Sequence, residues 1–542
     1  MDTVNRFVFP ALREHAARPL QVLRDRTWTY NDAARAVHGI AQHLRERGLR
    51  PGDRVALLGE NAPEWLHAFL GVLAAGGVAV PRGEDTPPEE LRWVLEHSGA
   101  ALAFVGSPKI APLIPAGIEQ IPLTGLPEPA DVSGDELAAY ASAAQPEDLA
   151  VLLYTSGTTG RPKGVMLEQR NIAHNLRTVP ALVPIEAGDV WVSILPPWHT
   201  FELTVELCAL SIGCMTAYSN KRRIKQDLAE HRPHFFAGVP RLWEAFQTGA
   251  RDAIRKRGPF LSGLFEKCFA SSRLWRKRNP LGLPLHALGK LLFYRKVARA
   301  IGGRLKYGIC GGGYLPPHVD EFFAIMGVEI LVGYGLTETA PVVAMRRPEK
   351  NVHGTIGRAL PDTEIRVGPQ GTFQVRGPQV MRGYYRDEEL TGQALDQDGW
   401  FDTGDLGRIT EDGDLVFTGR LKETIVLSGG ENVEPEPIES SALTHPAIEQ
   451  VMIVGQDRKT LAALVVPSEE CAAGPDPEET VRNALLATTG SAAGFRAFER
   501  VARVHLLDEP FSVENGLLTP TLKMRRSVIA DRYASEIDAL CK

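Results

Sequence analysis

The stretch VLLYTSGTTGRPKGV (151–165) decides how this sequence folds and what it can bind. Val151, Leu152 and Leu153 read as a short buried strand. That strand runs without a spacer into Thr155, Ser156, Gly157, Thr158, Thr159 and Gly160, and Lys163 closes the segment. Glycines let backbone amides approach and wrap phosphate oxygens. The hydroxyls of Thr155, Ser156, Thr158 and Thr159 add donors, and Lys163 adds a cation. A Gly-Lys-Ser/Thr run is absent, so this is not a Walker A loop, and the spacing excludes a P-loop kinase or GTPase. A Gly/Ser/Thr-rich turn alone is ordinarily a flexible connection; ordered spacing and the lysine set this one apart.

Upstream, RVALLGENAPEWLHAFLGVLAAGGVAVPR (54–82) alternates elements in the same way. Residues 55–58 predict a buried strand, Pro63 a helix start, Gly76 and Gly77 its end, and residues 78–80 the next strand. Residues 186–240 repeat the pattern with VWVSILPP, a helical stretch and FFAGVP. This βαβ grammar predicts a mostly parallel sheet. Beyond about residue 365 the chain turns strand-like and Gly-rich, with Asp412-Gly413 marking a hairpin. After Gly419 it restarts as a small α+β unit, which places a domain boundary near Leu421 and Lys422.

The 542 residues leave room for about three or four compact units. A hydrophobic content of 44% with 23% charged residues suits a globular chain with a large core. The net charge of −6 argues against a nucleic-acid binder. Cys208, Cys214, Cys268, Cys310, Cys471 and Cys541 form no CxxC pair, and HExxH is absent, so the cysteines read as reduced core thiols. The N-terminal residues lack the apolar run of a signal peptide, and no segment has the ~20 apolar residues of a spanning helix. A cytoplasmic protein is expected, one that touches a membrane only from outside.

Residues 250–306 stand apart. They carry fifteen Lys and Arg against Asp252 and Glu266, a local +13, so the remainder sums to −19. Leu261, Leu264, Phe265, Phe269, Leu291, Leu292 and Phe293 are interspersed. Such a segment reads either as a solvated helical hairpin or as a surface for anionic lipid headgroups or an acidic carrier protein.

The loop at 154–164 resembles the YTSGTTGxPKG phosphate loop of the adenylate-forming superfamily, which includes acyl-CoA synthetases, luciferases and peptide-synthetase adenylation domains. The resemblance extends over nearly the whole chain, with further motifs in the expected order. It implies an α/β fold. A large N-terminal domain (1–421) would hold layered αβαβα sheets and a distorted β-barrel, and a small, hinged α+β C-terminal domain would span 422–542. GYGLTET (333–339) implies that Thr337 contacts phosphate and that Glu338 holds magnesium with Thr155; oxygen donors suit that hard ion. An isolated LTET is more often a helix cap. CGGGYLPP (310–317) is similar to the adenine-pocket segment, implying Gly311, Gly312 and Gly313, with Gly313 standing where alanine is common. Tyr334 and Gly335 would join them.

GWFDTGDLG (399–407) and TGRLKE (418–423) resemble the ribose contacts, implying Asp405 and Arg420, while Asp402 suits a turn. Lys422 matches the family's hinge. NGLLTPTLKMRR (515–526) resembles the loop bearing the adenylation lysine, implying Lys523, although a lone lysine is ordinarily a solvated surface residue. LPPWHTFELTVE (195–206) resembles the acyl-pocket motif of long-chain synthetases, implying His199 at the substrate carboxylate and Phe201 and Leu203 toward the acyl chain. Leu203 stands where some relatives have a gating tryptophan.

Stretches such as 231–244, 315–351, 377–385 and 425–439 point to the long-chain fatty-acid branch and most resemble bacterial and plastid acyl-ACP synthetases, with acyl-CoA synthetases next. The resemblance implies an ATP-dependent, AMP-forming acid–thiol ligase. Fatty acid and MgATP would give acyl-AMP and pyrophosphate, and the acyl group would pass to coenzyme A. An acyl carrier protein is the alternative acceptor. A non-catalytic acyl- or nucleotide-binding protein is disfavoured by the presence of Lys523, Glu338 and the phosphate loop. An amino-acid adenylating domain is disfavoured because PPWHTFE offers no aspartate for an α-amino group.

Overall fold

The computed structural model describes residues 2–155, 162–519 and 523–540. The chain forms two compact units. One comprises Met1–Gly312, Val319–Ile365 and Val375–Phe401; the other comprises Gly313–His318, Arg366–Gln374 and Asp402–Lys542. Two units rather than three or four reflect the size of the first, which gathers two large sheets around shared helices.

The expected βαβ segment is present in the first unit. Arg54–Leu58 and Val78–Arg82 are parallel strands with Val55 opposite Ala79. They are joined by the helix Pro63–Ala74, with proline at its first turn and Gly76 at φ 85° just past its end. The left-handed φ at Gly76 is why glycine stops this helix without strain. Alternation splits each strand between two cores. Val55 and Leu57 join the central core, while Ala56 and Leu58 face Leu91 and Leu95 of the helix Pro88–Ser98.

The seven-stranded sheet runs Gly383–Tyr384, Lys163–Glu168, Leu149–Thr155, Val78–Arg82, Arg54–Leu58, Leu102–Val105, Glu119–Pro122. Its last five strands pair in parallel, and the strand carrying Lys163 is antiparallel to both neighbours. A nine-stranded sheet has a parallel centre containing Val190–Ser193, Phe235–Gly238, Tyr307–Cys310 and Ile330–Gly335. Between Val190–Ser193 and Phe235–Gly238 the chain inserts a further strand, Met215–Tyr218, and the helix Ile224–His231. The central core draws on strands of both sheets and on the helices Val4–Glu14, Tyr30–Glu46, Pro63–Ala74, Gln169–Leu182 and Thr200–Ile212. The layered α/β architecture follows from that sharing.

The second unit contains a three-stranded sheet of its own. Ile448–Val454 is antiparallel to Leu461–Pro467, which is parallel to Val501–Leu506. Val451, Ile453, Ala463 and Val465 face the helices Pro435–Ala442 and Pro477–Thr489. Met452, Val454, Leu464 and Val466 face Ile529 of the helix Arg526–Arg532. This is a small α+β unit with helices on both faces.

The basic segment belongs to the first unit and is helical. Pro240–Arg255, Pro259–Arg276, Leu283–Gly289 and Arg295–Ala300 are α-helices, with a short π-helical stretch at Lys290–Tyr294. Phe265 and Phe269 pack inward against Phe293 and Phe322. No helix among the described residues is long and apolar enough to cross a membrane.

Candidate functional site

Within the first unit the residues singled out from the phosphate loop and from GYGLTET come together. Lys163 opens its strand directly opposite Thr155. Its Nζ lies 3.2 Å from Glu338 Oε1. Glu338 sits in the short turn Thr337–Thr339 and is buried. Its backbone carbonyl accepts from Met381 N at 2.8 Å, which fixes the turn against the chain that leads to Tyr384. Thr337, half-buried, precedes it in the same turn. Ser156, Gly157, Thr158, Thr159 and Gly160 lie outside the described residues.

A residue without a role in the sequence reading completes this cluster. Tyr384 Oη donates to Glu338 Oε1 at 2.9 Å and accepts from Lys163 Nζ at 2.8 Å. Lys163 Nζ also sits 4.3 Å from the Tyr384 ring centroid, within cation–π range. Burial, reinforced by the neighbouring Glu338 carboxylate, pushes the phenol pKa up, so Tyr384 stays protonated and remains a donor. The signal was GYY (383–385) in a stretch read only as a mark of the fatty-acid branch. Arg82, also unforeseen and buried, donates to the Tyr154 carbonyl at 2.8 Å and pins the strand end from which the phosphate loop departs.

Both contacts to Glu338 fall on Oε1, and among the described residues none is bonded to Oε2. Thr155 Oγ1 is buried with no hydrogen-bond partner among them. A buried hydroxyl without a partner is costly unless a ligand completes it. A carboxylate oxygen and a hydroxyl oxygen are the donors a magnesium ion takes, so these residues fit that ion.

Tyr334 and Gly335 end the strand Ile330–Gly335. A Cβ on Gly335 would lie 1.8 Å from the Pro341 carbonyl oxygen, so only glycine fits there. Gly311 and Gly312 follow the strand Tyr307–Cys310. A Cβ on Gly311 would meet the Phe201 ring at 3.3 Å and the Gly333 carbonyl at 3.5 Å. The adenine-type segment and the acyl-type motif therefore touch at Gly311.

His199 caps the helix Thr200–Ile212, its Nδ1 accepting from Phe201 N at 3.2 Å. That bond assigns the proton of the neutral ring to Nε2, giving a donor suited to a carboxylate. Phe201 packs with Trp191 and Leu195, whereas Leu203 lies in the central core. The expectation that both point toward an acyl chain is corrected for Leu203: side chains two apart on a helix lie on different faces.

Beneath this helix start lies a second feature without a sequence signal. Glu202 accepts from Ser193 Oγ, which in turn accepts from Asn61 Nδ2 at 2.5 Å. Glu206 accepts from Tyr218 Oη, which accepts from Gln21 Nε2 at 2.7 Å, and His67 Nε2 lies 2.8 Å from Gln21 Oε1. Burial raises the Glu202 pKa to about 8 and that of Glu206 to about 7, and lowers that of His67 to about 4. All three are therefore predominantly neutral near pH 6.

The second unit holds the other predicted residues. Asp405 and Arg420 are register partners on the antiparallel strands Phe401–Ile409 and Leu415–Arg420, joined by an ion pair of 2.9 Å to a buried carboxylate. Asp402 makes a turn bond to Gly404 N at 2.9 Å and accepts from Thr372 Oγ1 at 3.0 Å. Gly313 begins a segment whose Tyr314 ring lies 6.4 Å from that of Phe417. Lys422 is exposed in a turn that closes on the Arg420 carbonyl.

Lys523 is tied to Thr519 through its backbone. Its N donates to Thr519 Oγ1 at 3.0 Å, and its carbonyl accepts from Thr519 N at 2.8 Å. Arg526, three residues on, pairs with Glu439 and Glu423. Burial and Arg420 draw the Lys523 pKa down to about 8, against the pull of Asp405, Glu436 and Glu423. Solvent nevertheless reaches the side chain. The ammonium therefore keeps its proton at neutral pH.

Residues 9–385 match the AMP-binding enzyme family, and residues 422–542 match the AMP-binding enzyme C-terminal domain. The chain is 34% identical to the probable acyl-activating enzyme 16, chloroplastic, of Arabidopsis thaliana, over 95% of this chain and 85% of that one. It is also 34% identical to the long-chain-fatty-acid–[acyl-carrier-protein] ligase AEE15, chloroplastic, of the same plant, over 94% and 82%. Identity to the long-chain-fatty-acid–CoA ligase FadD15 of Mycobacterium tuberculosis is 32%, over 96% and 94%. Among solved structures, ATP-bound MatB from Rhodopseudomonas palustris superposes with a TM-score of 0.74 at 25% identity, covering 98% of this chain and 99% of that one. On these matches, the chain belongs to the AMP-binding enzyme family.

Proposed function

We propose that this protein activates a long-chain fatty acid in two steps. The carboxylate oxygen attacks the α-phosphorus of ATP, the α–β phosphoanhydride bond breaks, and pyrophosphate leaves. A thiolate then attacks the acyl carbon of the acyl-adenylate, and AMP leaves. The observation that carries the reading is the cluster of Lys163, Glu338 and Tyr384 beside the Thr155 hydroxyl, which has no partner among the described residues. It concentrates a cation, a carboxylate and a free oxygen donor where the phosphate loop begins.

Thr155 and Glu338 would hold magnesium, which supplies charge neutralisation at the triphosphate. Lys163 and the phosphate-loop amides, those of residues 156–160 included, bind the phosphate oxygens. His199 Nε2–H orients the carboxylate, and Phe201 borders the acyl chain. Gly311, Gly312, Gly313, Tyr334 and Gly335 border the adenine. Asp405 accepts from the ribose hydroxyls and Arg420 contacts ribose or phosphate. Lys523 stabilises the charge that develops as the anhydride bond breaks. Lys422 lies at a hinge between residues 1–421 and 422–542, which lets the C-terminal part serve both steps.

Coenzyme A is the proposed acceptor, and the protein is proposed to work in the cytoplasm. The phosphopantetheine arm of acyl carrier protein is the second reading, favoured by the acyl-carrier-protein ligase at 34% identity and by the +13 segment. Peripheral membrane contact through 250–306 fits a substrate that partitions into lipid. Palmitate and MgATP supplied with coenzyme A and with holo-acyl carrier protein in parallel separate the readings: thioester on coenzyme A supports the first, and thioester on the carrier alone replaces it with the second.

A further inference from the structure

Among the described residues, seven of the twelve large apolar side chains left in solvent fall between positions 260 and 291, with Phe260 and Leu281 each 81% exposed. They are not scattered. The helix Pro259–Arg276 turns back on itself at once: Arg278 N bonds the Trp275 carbonyl at 2.9 Å and Asn279 N bonds the Leu274 carbonyl at 3.0 Å. The returning arm is pressed against it. A Cβ on Gly282 would stand 2.4 Å from both Ser271 O and Trp275 N, so no side chain fits between the arms. Leu281 and Leu283, on either side of Gly282, therefore emerge beside Leu274 and Trp275. Four exposed apolar side chains share one hairpin tip.

The charges sort along the same hairpin. Arg273 pairs with Glu321 at 2.8 Å, and Arg276 with Glu329 at 3.5 Å. Lys277 and Arg278, in the turn itself, are exposed and make no ion pair with any described residue. Paired Arg273 and Arg276 thus flank Leu274 and Trp275, and Lys277 and Arg278 stand exposed beside them. A solvated hairpin accounts for the cations but not for leucines held out in water. A carrier protein accounts for the cations but would need a pocket to receive a convex apolar tip. A fluid bilayer closes around such a tip while its headgroups meet the cations.

We infer that the tip formed by Leu274, Trp275, Leu281 and Leu283, flanked by Lys277 and Arg278, inserts shallowly into an anionic leaflet. Each basic residue near such a surface strengthens binding about fivefold, and apolar burial adds to it. The inference gives the fatty-acid reading a route by which substrate arrives, yet its test involves neither ATP nor fatty acid.

The full chain is sedimented with vesicles of phosphatidylcholine alone and of phosphatidylcholine with phosphatidylglycerol, and thermal melts check that each variant is folded. Partitioning onto the anionic vesicles should exceed that onto neutral ones about tenfold or more and fall with salt. The pair Lys277→Glu and Arg278→Glu, and separately the pair Leu281→Asp and Leu283→Asp, should each lower it about tenfold or more with unchanged melts. Equal partitioning onto both vesicle types, or variants that bind as the parent does, would overturn the inference. So would variants that keep vesicle binding but lose binding to holo-acyl carrier protein, which would assign the tip to that partner.

Discussion

Tyr384 holds Glu338 in place: its phenolic oxygen lies 2.9 Å from the Glu338 carboxylate and 2.8 Å from Lys163 Nζ. One side chain thus joins the segment after the phosphate loop to the turn that carries the carboxylate proposed to bind magnesium. The link is direct because the strand Gly383–Tyr384 pairs with the strand that begins at Lys163, with Tyr384 opposite Val165.

Tyr384→Phe removes the hydroxyl and keeps the ring. A hydrogen bond to a charged group contributes about 1.5–3 kcal/mol. The magnesium concentration for half-maximal pyrophosphate release should therefore rise about tenfold or more, with the melting temperature little changed. A magnesium titration that overlays the parent's would show that the phenol does not position Glu338.

Glu338→Ala is expected to go further and eliminate the first step or shift its magnesium requirement beyond the Tyr384→Phe variant. Pyrophosphate release measured across a magnesium series checks this; an unchanged curve would remove Glu338 from the metal site.

Lys523→Ala should lower adenylation about 10²–10³-fold, the usual cost of losing a donor to developing charge. Thioester formation from supplied acyl-adenylate should be spared. Equal loss in both half-reactions would refute a role confined to the first.

The buried carboxyls of the helix Thr200–Ile212 predict a pH effect on stability. Burial raises the folded pKa of Glu202 to about 8 and of Glu206 to about 7, from an ordinary 4.5. Between those values the folded protein binds more protons than the unfolded chain, so stability falls as pH rises through that window. The melting temperature should drop from about pH 5 to about pH 8.5, and Glu202→Gln should shrink that drop. An identical drop in the variant would show that Glu202 does not titrate as its burial requires.

What the sequence disclosed, and what it did not, follows from the range of the signals. The strand–helix–strand at 54–82 was legible because Pro63, Gly76 and the apolar runs are local, and the fold preserves them. Lys163 and Glu338 were nameable because each sits in a spaced motif. Tyr384 was not, because its role depends on a pairing 221 residues away in sequence from Lys163. Glu202 and Glu206 carry no signal in the sequence; only the partners Ser193 and Tyr218, on neighbouring strands, reveal two buried acids. Leu203 was misdirected because the motif is linear while the helix turns it away from Phe201.

The most direct test of the central claim is palmitate-dependent exchange of labelled pyrophosphate into ATP by the full chain, with magnesium and without any thiol. The account predicts exchange that requires the fatty acid and magnesium and that releases AMP, not ADP, once a thiol is added. No exchange, exchange indifferent to the fatty acid, or ADP as the product would contradict it.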